Sequence, residues 1–236
     1  MNSEEIAYFD DGLELEGHLV YDDSTQDRQP AVLICHAIRG QDDFARAKAE
    51  EIARLGYVEF ALDVYGKGVW FENIEAAREI HDDLEEHRLK LRGRVQAGLE
   101  ALVDLPMVDP DRVGAIGYCF GGMCALELAR SGAGVMGVVS FHGQLDSPAV
   151  EDARNIRCKI LALPGFEDPL TRDQVEGFEE EMNAAGVNWQ LHVYGGTFHS
   201  FTNPAANNRE GGLLYDPLAD RRSWQAMTPF FEETLS

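Results

Sequence analysis

The sequence predicts an α/β fold in which a mostly parallel, doubly wound sheet follows an antiparallel N-terminal hairpin. Three observations support this prediction: apolar and polar residues alternate near the N-terminus, short apolar segments follow Pro30, and helical stretches separate those segments. Strands that are apolar throughout are typical of parallel sheets covered on both faces, and strand–helix alternation is typical of doubly wound sheets. Because the 236 residues contain no linker or repeat, we expect one domain over residues 1–236.

The hairpin is predicted from the alternation of Leu13, Leu15 and Leu19 with polar neighbours, which has the period of a half-buried strand. The residues before it, Asp10-Asp11-Gly12, suit a turn from a strand at 6–9. The later apolar segments predict strands at 31–35, 58–64, 112–118, 135–141, 158–163 and 189–194. One long helix is predicted over 74–102, where apolar residues recur at three-, four- and seven-residue steps and carboxylates form a solvated face.

The composition limits the partners of the protein. Acidic residues outnumber basic ones 42 to 20, which gives a formal net charge of −22. Such a surface repels nucleic acid phosphates and anionic lipid, so neither nucleic acid nor a membrane is an expected partner. Because the sequence shows no signal peptide and no apolar stretch of roughly 18 residues, we expect a cytoplasmic protein. Lysine is rare, which favours an origin in a salt-adapted organism over an ordinary acidic mesophile protein.

The strongest functional signal lies at 112–122. An apolar strand ends at Tyr118, a helix is predicted from near Gly121, and Cys119 lies between them in a Gly-x-Cys-x-Gly-Gly pattern. This is the nucleophile-elbow pattern with cysteine in place of serine, although a glycine-rich turn with an incidental thiol is the alternative. The N-terminus of the following helix favours a thiolate and later an oxyanion. The N–H of Phe120 is a natural oxyanion donor, and a second donor is expected from the loop at 36–38.

A catalytic thiol needs a base, and the base needs a group that orients it. In an elbow fold the acid and then the histidine follow the nucleophile, each at the C-terminal end of a later strand. Asp168 and His199 follow the strands predicted at 158–163 and 189–194, and Glu167 is the alternative acid. No Cys/His spacing matches a metal module, and His81 and His87 are too far apart to share a helix face, so no metal and no cofactor are expected.

These motifs resemble the dienelactone hydrolase family, a cysteine branch of the α/β-hydrolase fold. The resemblance rests on Gly117-Tyr118-Cys119-Phe120-Gly121-Gly122, Gly165-x-x-Asp168, Gly196-Thr197-Phe198-His199-Ser200-Phe201 and Asp63-Val64-Tyr65-Gly66-Lys67-Gly68. It implies hydrolysis of a small ester or lactone through a thioester on Cys119. In this mechanism the N–H groups of Phe120 and Ile38 hold the oxyanion, and His199, oriented by Asp168, moves protons and activates water.

Two departures from the family pattern bear on the substrate. Family members typically carry a glutamate where this chain has Ala37, and an arginine after the His-Ser-Phe motif where it has Thr202 and Asn203. Without the glutamate, we expect Cys119 to rest as a thiolate paired with protonated His199. The expected substrate therefore shifts from dienelactone itself towards a less acidic ester or lactone.

Residues near the expected site are candidates for substrate contacts, with loop and core positions as the alternative roles. The candidates are His36, Arg39, Trp70, His142 and Asn203, with Arg209 as a further cation. Two other functions remain open: a thioesterase or acyltransferase that uses the same triad, and a non-catalytic protein that binds a ligand on a hydrolase scaffold. We expect a monomer or a small homo-oligomer.

Overall fold

The structure is a computed structural model that describes residues 1–24 and 27–236. The strands are β1 (Asn2–Asp10), β2 (Leu13–Tyr21), β3 (Gln29–Cys35), β4 (Val58–Leu62), β5 (Val108–Tyr118), β6 (Gly137–Phe141), β7 (Lys159–Leu163), β8 (Trp189–Leu191), β9 (Asn207–Asn208) and β10 (Leu213–Leu214). The helices are α1 (Asp43–Ala53), α2 (Ile74–Glu86), α3 (Arg88–Val103), α4 (Phe120–Arg130), α5 (Val175–Ala185) and α6 (Pro217–Thr234). Short 3₁₀ turns cover Val150–Asn155 and Arg172–Gln174.

Eight strands form one sheet in the order β1-β2-β4-β3-β5-β6-β7-β8. The hairpin β1–β2 is antiparallel, β2 pairs antiparallel with β4, and the pairs from β4 through β8 are parallel. The hairpin turn lies at Asp11-Gly12, where both residues have positive φ. The predicted fold, a mostly parallel sheet with an antiparallel N-terminal hairpin, is confirmed. Differences from the predicted strands are confined to their ends: β1 and β5 each begin four residues earlier than predicted, and β8 stops three residues earlier, at Leu191.

The core divides into two layers, one on each face of the sheet. One layer packs α3, α4 and α5 against the sheet through residues such as Leu91, Met123 and Phe178. The other packs α1 and α6 through residues such as Ile52 and Phe231. Each fully buried large apolar side chain stabilises the fold by about 1.5–3 kcal/mol, so both layers contribute to holding the helices against the sheet. Within the ranges that the structure describes, no helix is both long and apolar enough to cross a membrane.

The prediction of a single long helix over 74–102 is wrong, because the helix is interrupted at His87, which separates α2 from α3. His87 has φ −104° and ψ 65°, and its ring bonds back to the carbonyl of Asp83. Leu84 before the break and Leu91 after it are both buried, so the apolar spacing continues across it and conceals it in the sequence. The break lets α3 pack in the core while α2 turns towards the carboxyl edge of the sheet.

A buried ion network ties the helices on one face together. The Arg130 guanidinium in α4 donates to Glu181 of α5 through two nitrogens, at 2.8 and 2.7 Å, and to Glu127 at 3.1 Å. Arg92 of α3 donates to the same Glu127 at 2.8 Å. Arg130 and Glu127 are fully buried. Such a network depends on every partner, because an uncompensated buried charge is far costlier than a satisfied pair is stabilising.

We expect Arg130→Ala to lower the free energy of unfolding by about 3–5 kcal/mol, since it leaves Glu181 buried without its cation. Urea denaturation followed by circular dichroism measures this loss. Arg54→Ala is the matched control, because it removes an ion pair to Glu50 whose side chains are 61% and 59% exposed. Its loss should be at most about 1 kcal/mol. Equal losses in the two variants would contradict a stabilising role for the buried network.

Candidate active site

Cys119 occupies the sharp turn between β5 and α4 and is held in a strained backbone conformation. Its φ is +57°, a region that residues with a side chain rarely adopt. A Cβ on Gly117 would overlap the carbonyl of Gly121, and a Cβ on Gly121 would overlap the carbonyl of Cys35. The two glycines therefore let α4 begin directly against the ends of β5 and β3. This close approach holds the half-buried thiol at the carboxyl edge of the sheet.

Two backbone N–H groups converge on the thiol from different parts of the chain. Phe120 is the first residue of α4, and Ile38 follows β3 in the loop at 36–38. Both N–H groups contribute to lowering the pKa of Cys119, so they lie within reach of its sulfur. Preorganised N–H groups of this kind stabilise negative charge, first on a thiolate and then on an oxyanion. The structure thus brings together the three residues expected at an elbow and its oxyanion hole.

His199 and Asp168 meet beside Cys119 from two later loops. Nδ1 of His199 lies 2.8 Å from Oδ2 of Asp168, whose other oxygen accepts the N–H of Leu170 at 2.9 Å. Both side chains are buried. The alternative acid, Glu167, is partly exposed and lies 3.8 Å from Arg172 instead. Nε2 of His199 is buried and completes no hydrogen bond with the described part of the chain. No other protein group in the described part of the chain therefore competes for a proton at this nitrogen.

The charges of Cys119 and His199 support each other. Burial raises the pKa of the Cys119 thiol, but the charge of His199 and the N–H groups of Phe120 and Ile38 outweigh burial and lower it. Burial lowers the pKa of His199, but the thiolate and the bond to Asp168 outweigh burial and raise it well above its usual range. Both shifts favour a thiolate beside an imidazolium. The hydrogen bond to Asp168 also fixes which ring nitrogen faces the thiol.

A cavity of about 350 Å³ opens in front of the thiol. It is lined by Ala37, Ile38, Arg39, Asp42, Phe44, Ile74, Arg78, His81, Asp82, Glu85, Tyr118, Cys119, Phe120, His142, Gln144, Leu170, His199, Ser200, Thr202, Asn203 and Leu213. Most of the wall is apolar, with polar groups at a few positions, as in many small-molecule sites. The size suits a compact organic molecule.

Of the five residues predicted as substrate contacts, three lie in the cavity wall: Arg39, His142 and Asn203. Arg39 is paired with Asp42. His36 is buried outside the wall, and both of its ring nitrogens contact backbone groups. Trp70 is 59% exposed and also lies outside the wall. Since neither His36 nor Trp70 reaches the cavity, the structure does not support these two as direct contacts.

His142 lies beside His199 and has both an unusual backbone conformation and a lowered pKa. Its backbone has φ +40°, its ring packs edge-on against His199 with centroids 5.0 Å apart, and Nε2 lies 2.8 Å from Oγ1 of Thr202. Burial and the charge of His199 hold the pKa of His142 well below its usual range. A neutral ring at this position adds no second positive charge beside His199.

α2 contributes a wall of the cavity that was not predicted from the sequence. The residues are Ile74, Arg78, His81, Asp82 and Glu85. Their spacing of i, i+4, i+7, i+8 and i+11 marks one face of a helix, and this signal was available in the sequence. The face is mostly charged, so the prediction assigned it to solvent. It instead closes one side of the cavity, with His81 packed 5.0 Å from the ring of Phe120.

Three possible metal ligands on α2 come close together. They include His81 but not His87, which was expected to be too far from His81 to share a helix face. Ligand atoms of His81, Asp82 and Glu85 lie within 4.8 Å of one another. However, Nδ1 of His81 already lies 2.9 Å from a carboxylate oxygen of Asp82, and Gln144 donates to Glu85 at 2.6 Å. The cluster is thus explained by contacts within the protein.

Comparison with known proteins identifies the relatives of this chain. A model described as "Dienelactone hydrolase family" matches residues 15–235. A solved structure titled "m3DLH" has a TM-score of 0.95 and 39% sequence identity, with 100% of this chain and 99% of that chain covered. A second, titled as a dienelactone hydrolase-like promiscuous phosphotriesterase, P91, from metagenomic libraries, has a TM-score of 0.93 and 33% identity over 100% and 99% of the two chains.

A curated protein of Aquifex aeolicus (strain VF5), named "Putative carboxymethylenebutenolidase", is 28% identical over 212 residues. These residues cover 87% of this chain and 89% of the relative. The similarity therefore extends over nearly the full length of both proteins.

The charge pair predicts the pH dependence of thiol alkylation by iodoacetamide. In the wild-type protein the rate should reach half its maximum well below pH of about 8.5, the usual thiol pKa, because the imidazolium stabilises the thiolate. In His199→Gln the half-maximal pH should rise above about 8.5, since burial then acts without the opposing positive charge. Mass spectrometry of the labelled cysteine measures both profiles.

Cys119→Ala supplies the background for this measurement, because Cys35, Cys124 and Cys158 are buried. Identical pH profiles in the wild-type protein and His199→Gln would contradict the thiolate–imidazolium pair.

Proposed function

The chain belongs to the dienelactone hydrolase family, and from this premise we propose that it hydrolyses a small ester or lactone through a thioester on Cys119. One observation carries the proposal: a strained cysteine with a lowered thiol pKa lies beside a histidine that is bonded at 2.8 Å to a buried aspartate. The thiol, the imidazole and the carboxylate each have a chemical role that the other two need, which argues against a chance arrangement of these groups.

The first half of the reaction forms the thioester. The Cys119 thiolate attacks the substrate carbonyl, and the N–H groups of Phe120 and Ile38 hold the oxyanion. When the tetrahedral intermediate collapses, the carbon–oxygen bond to the leaving group breaks. The leaving alkoxide takes the proton from Nε2 of His199. With a lactone the leaving group remains attached to the acyl chain, so the product of this step is a ring-opened thioester.

The second half returns the enzyme to its starting state. Neutral His199, still oriented by Asp168, removes a proton from water at Nε2, and the resulting hydroxide attacks the thioester carbonyl. The same two N–H groups hold the second oxyanion. Collapse breaks the carbon–sulfur bond and releases a carboxylic acid and the thiolate, which again pairs with the imidazolium. Water competes here with other acceptors, so a transferase activity would use the same groups.

The cavity favours a substrate with little negative charge at the reacting end. Arg39 is paired with Asp42, and Asn203, an uncharged residue, occupies the wall after the His199 motif. Arg78 on α2 is different, because it lines the cavity and makes no ion pair with the residues that the structure describes. A substrate carboxylate, where one is present, would therefore extend towards α2.

A second candidate substrate is an uncharged aryl phosphotriester, the class named for the relative with 33% identity. The oxyanion donors that hold a carbonyl oxygen are also suited to a phosphoryl oxygen, and attack by Cys119 would expel an aryloxide. The triester and the ester then compete for one nucleophile. Mutual inhibition in a mixed-substrate assay would support a shared site.

We expect Cys119→Ala to lower kcat/KM for an aryl ester or lactone to the uncatalysed background, because the thioester cannot form. Purified wild-type and variant proteins are assayed against aryl esters, lactones and dienelactone in low and molar salt. Cys158→Ala is the matched control, since it removes a buried thiol distant from the cavity wall. Turnover retained in Cys119→Ala would refute the proposal, and the salt series tests the expected salt adaptation.

A second prediction concerns Arg78. For two lactones that differ by one carboxylate, Arg78→Gln should raise the KM of the acidic lactone about two- to fivefold and leave that of the neutral one unchanged, because exposed ion pairs contribute up to about 1 kcal/mol. Steady-state kinetics on both lactones measure the difference. Arg54→Gln, at an exposed position directly after α1, controls for the loss of one positive charge. A rise in KM shared by both lactones would contradict a charge contact at Arg78.

A further inference from the structure

Tyr65 lies behind the oxyanion hole and contacts both residues that supply its N–H groups. Its hydroxyl donates to the carbonyl of Ile38 at 2.8 Å. Its ring stacks on the ring of Phe120, with centroids 5.8 Å apart and an interplanar angle of 29°. Tyr65 is 3% exposed and is not part of the cavity wall. Burial raises the pKa of its phenol far above the usual range, so the hydroxyl keeps its proton as a donor.

His36 acts on the other side of Ile38. Nδ1 of His36 lies 2.8 Å from the carbonyl oxygen of Ala37, and Nε2 accepts the N–H of Val64 at 3.3 Å. Because Nε2 accepts, the ring proton is on Nδ1 and is donated to Ala37. The Ala37 carbonyl and the Ile38 N–H belong to one planar peptide and point in opposite directions. A hydrogen bond to that carbonyl therefore fixes the direction of the N–H.

The loop that carries Tyr65 is itself firmly held. The carboxylate of Asp63 accepts the N–H groups of Tyr65 at 2.7 Å and of Gly66 at 3.1 Å. Arg94 of α3 donates to the carbonyl of Val64 at 2.5 Å. The rings of His36 and Tyr65 pack edge-on with centroids 4.7 Å apart. The two peptides that flank Ile38 are thus fastened to a rigid support at the end of β4.

We propose that Tyr65 and His36 are positioning residues that fix the distance and direction between the Ile38 and Phe120 N–H groups. This inference rests on the proposed function and extends it to the support behind the oxyanion hole. Ile38 lies in a loop with no regular secondary structure, whereas Phe120 is held by α4, so Ile38 is the donor that needs an external hold. Preorganised donors act best when they do not have to move as charge develops.

The test compares carbonyl chemistry with alkylation in Tyr65→Phe. Loss of a whole oxyanion donor costs about 10²–10³ in kcat. Removing only the phenol hydroxyl loosens the donor, so we expect kcat/KM for an aryl ester to fall about tenfold, mainly through kcat. Affinity for a trifluoromethyl ketone, whose adduct with Cys119 carries an oxyanion, should fall in parallel. Alkylation by iodoacetamide at pH 9.5 forms no oxyanion and should change less than about twofold.

Three further variants separate positioning from folding. Tyr8→Phe removes another buried hydroxyl, which donates to the carbonyl of Asp63 at 2.6 Å and accepts its N–H at 2.8 Å, below the Tyr65 loop and without touching Ile38. It should lower the melting temperature about as much as Tyr65→Phe while retaining more ester turnover than Tyr65→Phe. His36→Asn keeps a donor close to the position of Nδ1, so it should retain more turnover than His36→Leu.

The outcomes distinguish this inference from the proposed function. Unchanged ester turnover in Tyr65→Phe, an equal loss in Tyr8→Phe, or a parallel loss of alkylation would each overturn the positioning role while the proposed function stands. If the wild-type protein binds the ketone without measurable turnover, ketone affinity in the variants tests the positioning role instead. An unchanged affinity in Tyr65→Phe would then overturn that role. A wild-type protein with neither turnover nor ketone adduct would overturn both.

Discussion

The turn at Cys119 sets the position of the thiol and of the two backbone N–H groups beside it. A side chain at φ +57° is unfavourable by itself, and the turn persists because β3, β5 and the start of α4 pack around it without space for a Cβ at Gly117 or Gly121. The same contact aims the first N–H of α4 at the thiol and brings the end of β3, with Ile38, to its other side. Folding of the two core layers therefore supplies the free energy that holds Cys119 in its strained conformation.

Cys119 and His199 form a charge pair that two buried histidines near this turn do not disturb. Cys119 and His199 shift each other's pKa in opposite directions, and Asp168 holds the imidazolium. Burial lowers the pKa of both His36 and His142, which favours their neutral forms. A positive charge on His142 would repel His199 and weaken the pair. The buried network around Arg130 follows the opposite principle, because there every charge is matched by a partner within the protein.

The fold, and the proximity of Cys119, Asp168 and His199, could be predicted from the sequence because both follow local rules that tertiary structure did not override. Apolar runs and helical spacing define the sheet, and chain order places Asp168 and His199 at the same edge as Cys119. The break at His87 was missed because the apolar spacing continues through it. The wall formed by α2 was missed for a related reason: a face of mixed charge has the same pattern whether it meets solvent or a cavity. The roles of His36 and Trp70 depended on side-chain direction, which spacing does not encode.

The residue at position 37 bears on the ionisation of Cys119. A carboxylate beside the thiol would raise its pKa by like-charge repulsion, so a glutamate there would favour a protonated cysteine in the absence of substrate. Ala37 exerts no such effect, so the proposed mechanism starts from a thiolate that His199 and the two N–H groups stabilise with or without substrate. A thiolate in a half-buried site is open to any electrophile that enters, including oxidants. Under the proposed function, selectivity therefore comes from what the cavity admits and from how well the oxyanion hole fits the reacting carbonyl, and the support behind Ile38 contributes directly to that fit.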